Sequence, residues 1–439
     1  MSPCCPLILA ALPPELLLHL PVLVFVFCFG ACVGSFLNVV IYRLPAGMSV
    51  ISPPSRCPTC GAKLRFFREN LPIIGWLMIR GRCRYCSAPV SPQYMIIELI
   101  MGLSFAGLYA ILFMTSSSSG WLGDIGGAWW SVNGVFRVWP VFIAVLFLWA
   151  GLVAMTIIDA RTFTIPIQIP LFVTVTAFIA YPLQALLPHR LPVVQTWPIP
   201  AVGWTGFGAA AGGMAGVFVA IALLRLGFFK YSFADYDDYV EEGETLGDYP
   251  HARREVLREL GFLLPAIIGI VAGIALARIA SGTAPPIFVQ ALGTTWLGYL
   301  VGGGVIWGIR IFGTLGFGRE AMGLGDVHLL GAVGAVLGWF DPIVIFFVAP
   351  FSGIAWVFVS MGLSRVFRRF RRELPYGPHL ALATVLLVLA RPAFQSLGNV
   401  ILPGVPLPEA GLVEPAPRTV GAAPGGMPTG RPRSGMRIT

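Results

Sequence analysis

Residues 139–158 read WPVFIAVLFLWAGLVAMTII, twenty positions without a charge, and the run stops at Asp159. An α-helix rises about 1.5 Å per residue, so about twenty apolar residues cross the hydrocarbon core of a bilayer. Stretches of similar length and character recur at 21–42, 93–114, 165–187, 201–224, 259–280, 288–312, 342–364 and 378–394. A tenth, 327–340, is short; such a segment is either re-entrant or crosses where the bilayer is thinned. The expected fold is therefore all-α, a polytopic membrane bundle of eight to ten spans.

The composition agrees. Of 439 residues, 56% are apolar and 11% charged, against about a quarter charged in soluble proteins. A soluble enzyme, a DNA-binding domain and a disordered scaffold are all poor readings. The net charge of +9 implies no nucleic-acid partner, because Lys and Arg gather in the cytoplasmic loops of membrane proteins. Lipid is the partner that this surface requires.

Orientation follows from the same rule. Residues 43–92 hold eight basic residues (Arg43, Arg56, Lys63, Arg65, Arg68, Arg80, Arg82, Arg84) and one acid, Glu69, which places this loop in the cytoplasm. The N-terminus then lies outside, and with no basic residue before Arg43 the first helix reads as retained rather than as a cleaved signal. If 327–340 crosses, the cluster Arg365, Arg368, Arg369, Arg371 and Arg372 also falls inside. The chain divides into a first helix (1–42), a cytoplasmic loop domain (43–92), a multi-span domain (93–395) with an acidic cytoplasmic insertion at 228–258, and a Pro/Gly-rich tail (396–439) of disordered composition. The acidic run from Phe233 to Asp248 reads as a solvated loop without calcium-loop spacing, and HARREVLREL after it as a surface helix.

Four of the eight cysteines fall as Cys57-Pro-Thr-Cys60 and Cys83-Arg-Tyr-Cys86, 22 residues apart. Paired C-x2-C knuckles bring four thiolates into the tetrahedron that Zn²⁺ accepts, at a spacing close to ribbon-type sites. Two disulfides or four free thiols are the competing readings; a reducing cytoplasm disfavours the former. Four Cys ligands would leave no open position, so the zinc would be structural, folding a loop too small for its own core. The insertion is thus read as a small zinc-ribbon-like unit. Cys28 and Cys32, inside the first helix, read as packing residues.

Acids at apolar spans are costly. Asp159 ends the third span, Asp326 sits in Gly323-Leu324-Gly325-Asp326 just before the short segment, and the topology puts both at the cytoplasmic edge. Two carboxylates brought together there would share one proton, leaving one as a base that activates water and the other as an acid that protonates a carbonyl oxygen. Taken singly, either Asp could merely cap a helix. Glu98, near the start of the second span, reads as snorkelling to the interface or as a structural hydrogen bond.

Several motifs then agree on one family. GACVGSFLNVVIYRLP (30–45), CPTC, RENLPIIGWLMIRGRCRYC, PVSPQYMIIELIMG, the Asp159 segment, MGLGDVHLLGAVGAVLGW and LPYGPHLALA resemble, in order, the landmarks of bacterial type IV prepilin peptidases. The resemblance covers about residues 30–390. It implies a G-x-G-D membrane aspartic peptidase of the inner (cytoplasmic) membrane that removes the basic leader of type IV prepilins or pseudopilins on the cytoplasmic side. Many members also methylate the new N-terminus with S-adenosylmethionine. Asp159 and Asp326 would be the catalytic pair, and Cys57, Cys60, Cys83 and Cys86 the zinc-binding cysteines. Two positions depart from the family pattern: Ile167 replaces an acid or amide after Ile-Pro, and His328 replaces a Lys after G-x-G-D-x.

The rivals are weaker. A presenilin or signal-peptide-peptidase kind of G-x-G-D enzyme would carry Tyr-Asp and Pro-Ala-Leu elements, but Ile158 precedes Asp159 and no Pro-Ala-Leu occurs. An ion- or proton-coupled transporter would show interrupted helices in two related halves. A non-catalytic pilus scaffold has no need of both Asp.

Overall fold

The structure, a computed structural model, describes residues 14–65, 69–115, 125, 128–187, 199–233, 235, 250–279, 284–366 and 375–401. Cys4, Cys5, Arg368 to Arg372, most of the acidic run and the tail from residue 402 lie outside them. Among the described residues the regular structure is helical. It comprises α1 (Pro14–Arg43), α2 (Ile74–Met78), α3 (Gln93–Tyr109), α4 (Ala128–Asn133), α5 (Val135–Thr162), α6 (Gln168–Leu186), α7 (Trp204–Arg225), α8 (Ala252–Ile279), α9 (Ile287–Phe317), α10 (Leu324–Leu337), α11 (Asp341–Val366), α12 (Tyr376–Leu389) and α13 (Arg391–Ile401). The last turn of α3 widens into a π-helical turn over Ala110–Met114.

Eight of these helices are long and apolar enough to cross a membrane: α1, α3 with its π turn, α5, α6, α7, α8, α9 and α11. The protein is a multi-pass membrane protein. Two expectations change in detail. The stretch 378–394 is not one span, because α12 stops at Leu389, Ala390 leaves helical geometry and Arg391-Pro392 opens a separate helix. HARREVLREL is not a separate surface helix either; from Ala252 it runs without a break into α8.

Close approach of helices is built from small residues at four-residue spacing, as expected where lipid offers no hydrophobic drive for association. Gly208, Gly212 and Gly216 of α7 lie against the backbone of Gly273, Gly269 and Pro265 of α8, where any Cβ would collide. Gly30 and Gly34 likewise seat α1 on Met101 and Glu98 of α3, and Gly298 and Gly302 seat α9 on Gly334 and Leu330 of α10.

Short α10 is the centre of the bundle. Val327 and Leu329 to Leu337 are buried without interruption, the pattern of a helix enclosed on all sides. Its neighbours are α5, α6, α9, α11 and α12, and the Tyr181 hydroxyl of α6 donates to the Val336 carbonyl near its end (2.6 Å). Because α10 faces protein all round, its 14 residues need not match the bilayer. They rise about 21 Å against about 30 Å of hydrocarbon.

Candidate active site

Helix α5 carries Asp159 in its last turn, then ends in a left-handed residue, Phe163 (φ 55°), whose amide donates to the Asp159 carbonyl (2.9 Å). The Asp159 side chain is 4% exposed and accepts the backbone N–H of Gly377, the second residue of α12. A Cβ on Gly377 would run into Asp159 Oδ2. Only glycine lets the start of α12 come this close to the carboxylate.

Asp326 enters from the other side, in the first turn of α10. The N-cap position is Gly323, and no side chain caps the helix. Asp326 is 8% exposed, and its Oδ1 is buried without a protein hydrogen-bond partner. Neither acid is an N-cap: Asp159 closes a helix and Asp326 follows the cap by three residues. An acid in the first turn is favoured by the helix dipole, but that does not account for an orphaned buried oxygen.

Both carboxylates line one cavity of about 830 Å³, with Phe163, Thr164 and Ile165 after α5 and residues 317 and 319–325 before Asp326 forming the rest of its wall. Gly325 makes the meeting possible, since a Cβ there would stand 2.8 Å from Ile165 Cβ. The sequence motif Gly323-Leu324-Gly325-Asp326 therefore has a packing reason: α10 begins against the 163–166 turn, and its acid faces the acid of α5. A buried pair of carboxylates lining a cavity of this size is suited to acid–base attack of water on a carbonyl.

Two residues flagged as departures lie elsewhere. The His328 ring is turned toward the Tyr299 hydroxyl of α9 (Nδ1 to oxygen 3.3 Å), not into the cavity. Ile167 is half exposed at the entry to α6. Gly377 and Glu320, which line or adjoin the carboxylates, were not singled out in the sequence. The signal for Glu320 was its place among charged residues just before the G-x-G-D run; Gly377 acts through its amide and offered only the Tyr-Gly-Pro helix start.

The cysteine loop sits at the same end of the bundle. Arg161, two residues beyond Asp159, donates to Gln93 Oε1 at the start of α3 (2.8 Å). Buried Glu98 of α3 accepts the Ile73 amide of the loop (2.7 Å), so its role is a structural hydrogen bond rather than snorkelling. The sulfurs of Cys57, Cys60, Cys83 and Cys86 all lie within 4.8 Å of one another, with Cys57 to Cys86 at 3.8 Å and Cys60 to Cys83 at 3.9 Å. Zn–S bonds of about 2.3 Å in a tetrahedron put the sulfurs about 3.8 Å apart, whereas a disulfide needs about 2.05 Å. The four cysteines could hold zinc. The two knuckles match, each closed by an isolated bridge, Arg56 with Lys63 and Arg82 with Pro89. The amides of Cys60 and Thr59 hold the Cys57 thiol down to about 6. The Ala88 amide draws the Cys86 thiol the same way, but burial and the three neighbouring sulfurs push it up to about 12. A cation that neutralises the cluster would displace the remaining protons. Cys28 and Cys32, expected to pack inside, instead lie exposed on the outer face of α1.

The chain is similar in sequence to several known proteins. The family described as Bacterial Peptidase A24 N-terminal domain matches residues 28–112, which span the end of α1, the four cysteines and α3. A prepilin leader peptidase/N-methyltransferase of Myxococcus xanthus (strain DK1622) is 52% identical over 82 residues, 19% of this chain and 24% of its own length. A protein of the same name from Aeromonas hydrophila is 26% identical over 401 residues, 85% of this chain and 93% of its own. The type 4 prepilin-like proteins leader peptide-processing enzyme of Escherichia coli O78:H11 (strain H10407 / ETEC) is 34% identical over 147 residues, 28% of this chain and 54% of its own. No solved structure matches the chain. A short stretch of high identity to one relative, an alignment with another that runs through most of the chain and two acids facing one cavity point the same way: the chain is similar to the prepilin leader peptidase/N-methyltransferases.

Proposed function

We propose that Asp159 and Asp326 are the catalytic pair of a membrane aspartic endopeptidase that removes the basic leader of type IV prepilins or pseudopilins. The observation that carries this reading is the shared cavity: two acids 167 positions apart in sequence, both buried, reach one space, with Thr164, Arg319 and Glu320 among the other residues of its wall. The pair holds one proton between its members. The ionised member draws the proton from a water, the water oxygen attacks the scissile carbonyl, and the protonated member hydrogen-bonds the developing oxyanion. The Gly377 amide, bonded to Asp159, fixes which way that carboxylate turns.

The cavity lies at the end of the bundle that carries the basic cysteine loop. The excess of Lys and Arg in residues 43–92 supports a cytoplasmic orientation of that end, and the relatives' names support a bacterial inner membrane. A prepilin whose apolar N-terminal helix lies in the bilayer then presents its basic leader to this face. Structural zinc on Cys57, Cys60, Cys83 and Cys86 would fold the loop at the same end of the bundle. The names of the relatives also suggest methylation of the new N-terminus with S-adenosylmethionine as donor.

The test is intact mass of a prepilin-like substrate, before and after incubation with the purified protein in detergent. Wild type is expected to remove a mass equal to the leader, and Asp159→Asn and Asp326→Asn to remove none while still inserting and folding. Cleavage retained by either variant would take that residue out of the pair. A further gain of one methyl that appears only with S-adenosylmethionine would establish the second activity.

A further inference from the structure

Arg310 is the only charged residue in α9. It is 3% exposed, and a buried charge in a membrane-spanning helix needs a reason. Its guanidinium spans two structures. On one side Nε donates to Glu259 Oε1 of α8 (2.8 Å). On the other side Nη1 donates to the Glu320 carboxylate and to the Met322 carbonyl (2.5 Å). Glu320 and Met322 belong to the six-residue connection 318–323 between α9 and α10, of which residues 319–323 are wall of the aspartate cavity. The same face of α9 holds the connection twice more: Thr314 Oγ1 accepts the Ala321 amide (3.4 Å), and Gly313 leaves room for the Ala321 methyl, which a Cβ there would meet at 2.5 Å. Positions 310, 313 and 314 are neighbours on a helix surface.

The far side of the guanidinium is equally fixed. Glu259 also accepts from Ser232 Oγ (2.9 Å) and from Trp307 Nε1 (3.1 Å). The Phe233 ring stands 5.2 Å from the Arg310 guanidinium carbon, and the Phe233 amide donates to Glu255 (2.9 Å). The first residues of the acidic insertion thus close over the same ion cluster. Planar, forked donors suit this task, in which one cation must satisfy two carboxylates and a carbonyl at set angles.

We propose that Arg310 is a positioning residue: by holding Glu320 and the Met322 carbonyl it sets the path of residues 318–323, and through them the place of Asp326 opposite Asp159. It touches neither carboxylate of the pair. The inference rests on the reading of Asp159 and Asp326 as the catalytic pair, and predicts a loss in kcat with little change in KM, because a displaced acid weakens the chemistry rather than the docking of the leader.

Glu320 provides the cleaner variants, since removing Arg310 also strands buried Glu259. Glu320→Ala deletes the acceptor, whereas Glu320→Gln keeps an oxygen for Arg310 Nη1 and loses only the charge. With a prepilin-like substrate, Glu320→Ala is expected to lower kcat at least about 10-fold at a KM within about twofold of wild type, and Glu320→Gln to recover most of it. A second readout does not use catalysis: trypsin cuts after exposed Arg319, and release of the connection should speed this nick at least about fivefold in Glu320→Ala but not in Glu320→Gln. Equal behaviour of Ala and Gln in both assays, or a rise in KM alone, would overturn the proposal and make Glu320 a contact for the basic leader instead. Wild-type kcat and nicking in Glu320→Ala would also overturn it. Should the wild type fail to cleave at all, the catalytic reading falls, and the nicking assay still decides whether Arg310 holds the connection.

Discussion

At the scale of single residues, the cavity depends on atoms that carry no charge. Gly377 shows this best, because its amide binds Asp159 while its missing side chain leaves space that a Cβ would take from Asp159 Oδ2 and, at 3.0 Å, from Ile165 Cδ1. Gly377→Ala is therefore expected to push the carboxylate out of line and lower kcat about 10- to 100-fold, with the helical CD signal unchanged; full activity would mean that α12 shifts without moving Asp159. The two acids were legible in the sequence because a charge stands out among apolar residues and costs too much to be kept idle. Gly377 was not, being one of 52 glycines and acting through a backbone group that every residue except proline possesses. Arg310 obeys the same rule as the acids but was not singled out in the sequence. Its partners were not legible, since Glu259 lies 51 positions away on another helix and only packing brings them together.

Elements were read with uneven success, for physical reasons. Long spans were placed to within a few residues because hydropathy sums over a whole helix and tolerates errors at its ends. The same summation hid the break after Leu389: Val388 and Leu389 before it and Phe394 after it kept the window apolar, while Arg391-Pro392 ended one helix and began another. The cysteine loop was read from spacing alone, which metal geometry constrains closely. Its attachment to the bundle was not, for snorkelling and a structural hydrogen bond both stayed open for Glu98 until Ile73 was seen to donate to it. Two outcomes are expected for this element. Purified protein should carry about one zinc per chain by elemental analysis, and Cys60→Ser or a strong chelator should remove it, opening 44–92 to proteases while the membrane helices keep their CD signal. Glu98→Ala should strand the Ile73 amide, cost about 1–3 kcal/mol locally, and raise proteolysis of the same loop with zinc still bound. Loss of zinc without any rise in proteolysis would assign the metal a role other than holding this fold.

Across the whole molecule, depth is the quantity that joins fold to chemistry. Helices α10 and α12 have 14 residues each, about 21 Å against about 30 Å of hydrocarbon, and both begin at the aspartate cavity. Were either exposed to lipid along its length, the mismatch would strain the bilayer; α10 is enclosed by five helices, and the apolar side chains Leu380, Ala383 and Leu387 of α12 are buried. Helices this short among full-length ones are expected to leave the start of α10, and the cavity in front of it, short of the membrane surface. A substrate must then carry its scissile bond to that depth, which an apolar helix continuing from the cleavage point does by inserting in the bilayer beside the bundle. A prepilin truncated a few residues after the cleavage site should therefore show kcat/KM at least about 10-fold below that of the same leader followed by its apolar helix, in detergent and in vesicles. Lengthening the polar linker between leader and helix should lower it as well, by holding the bond out of that cavity. Equal turnover of the soluble and the membrane-inserted forms would mean that the cavity takes its substrate from water, and that the short helices serve packing alone.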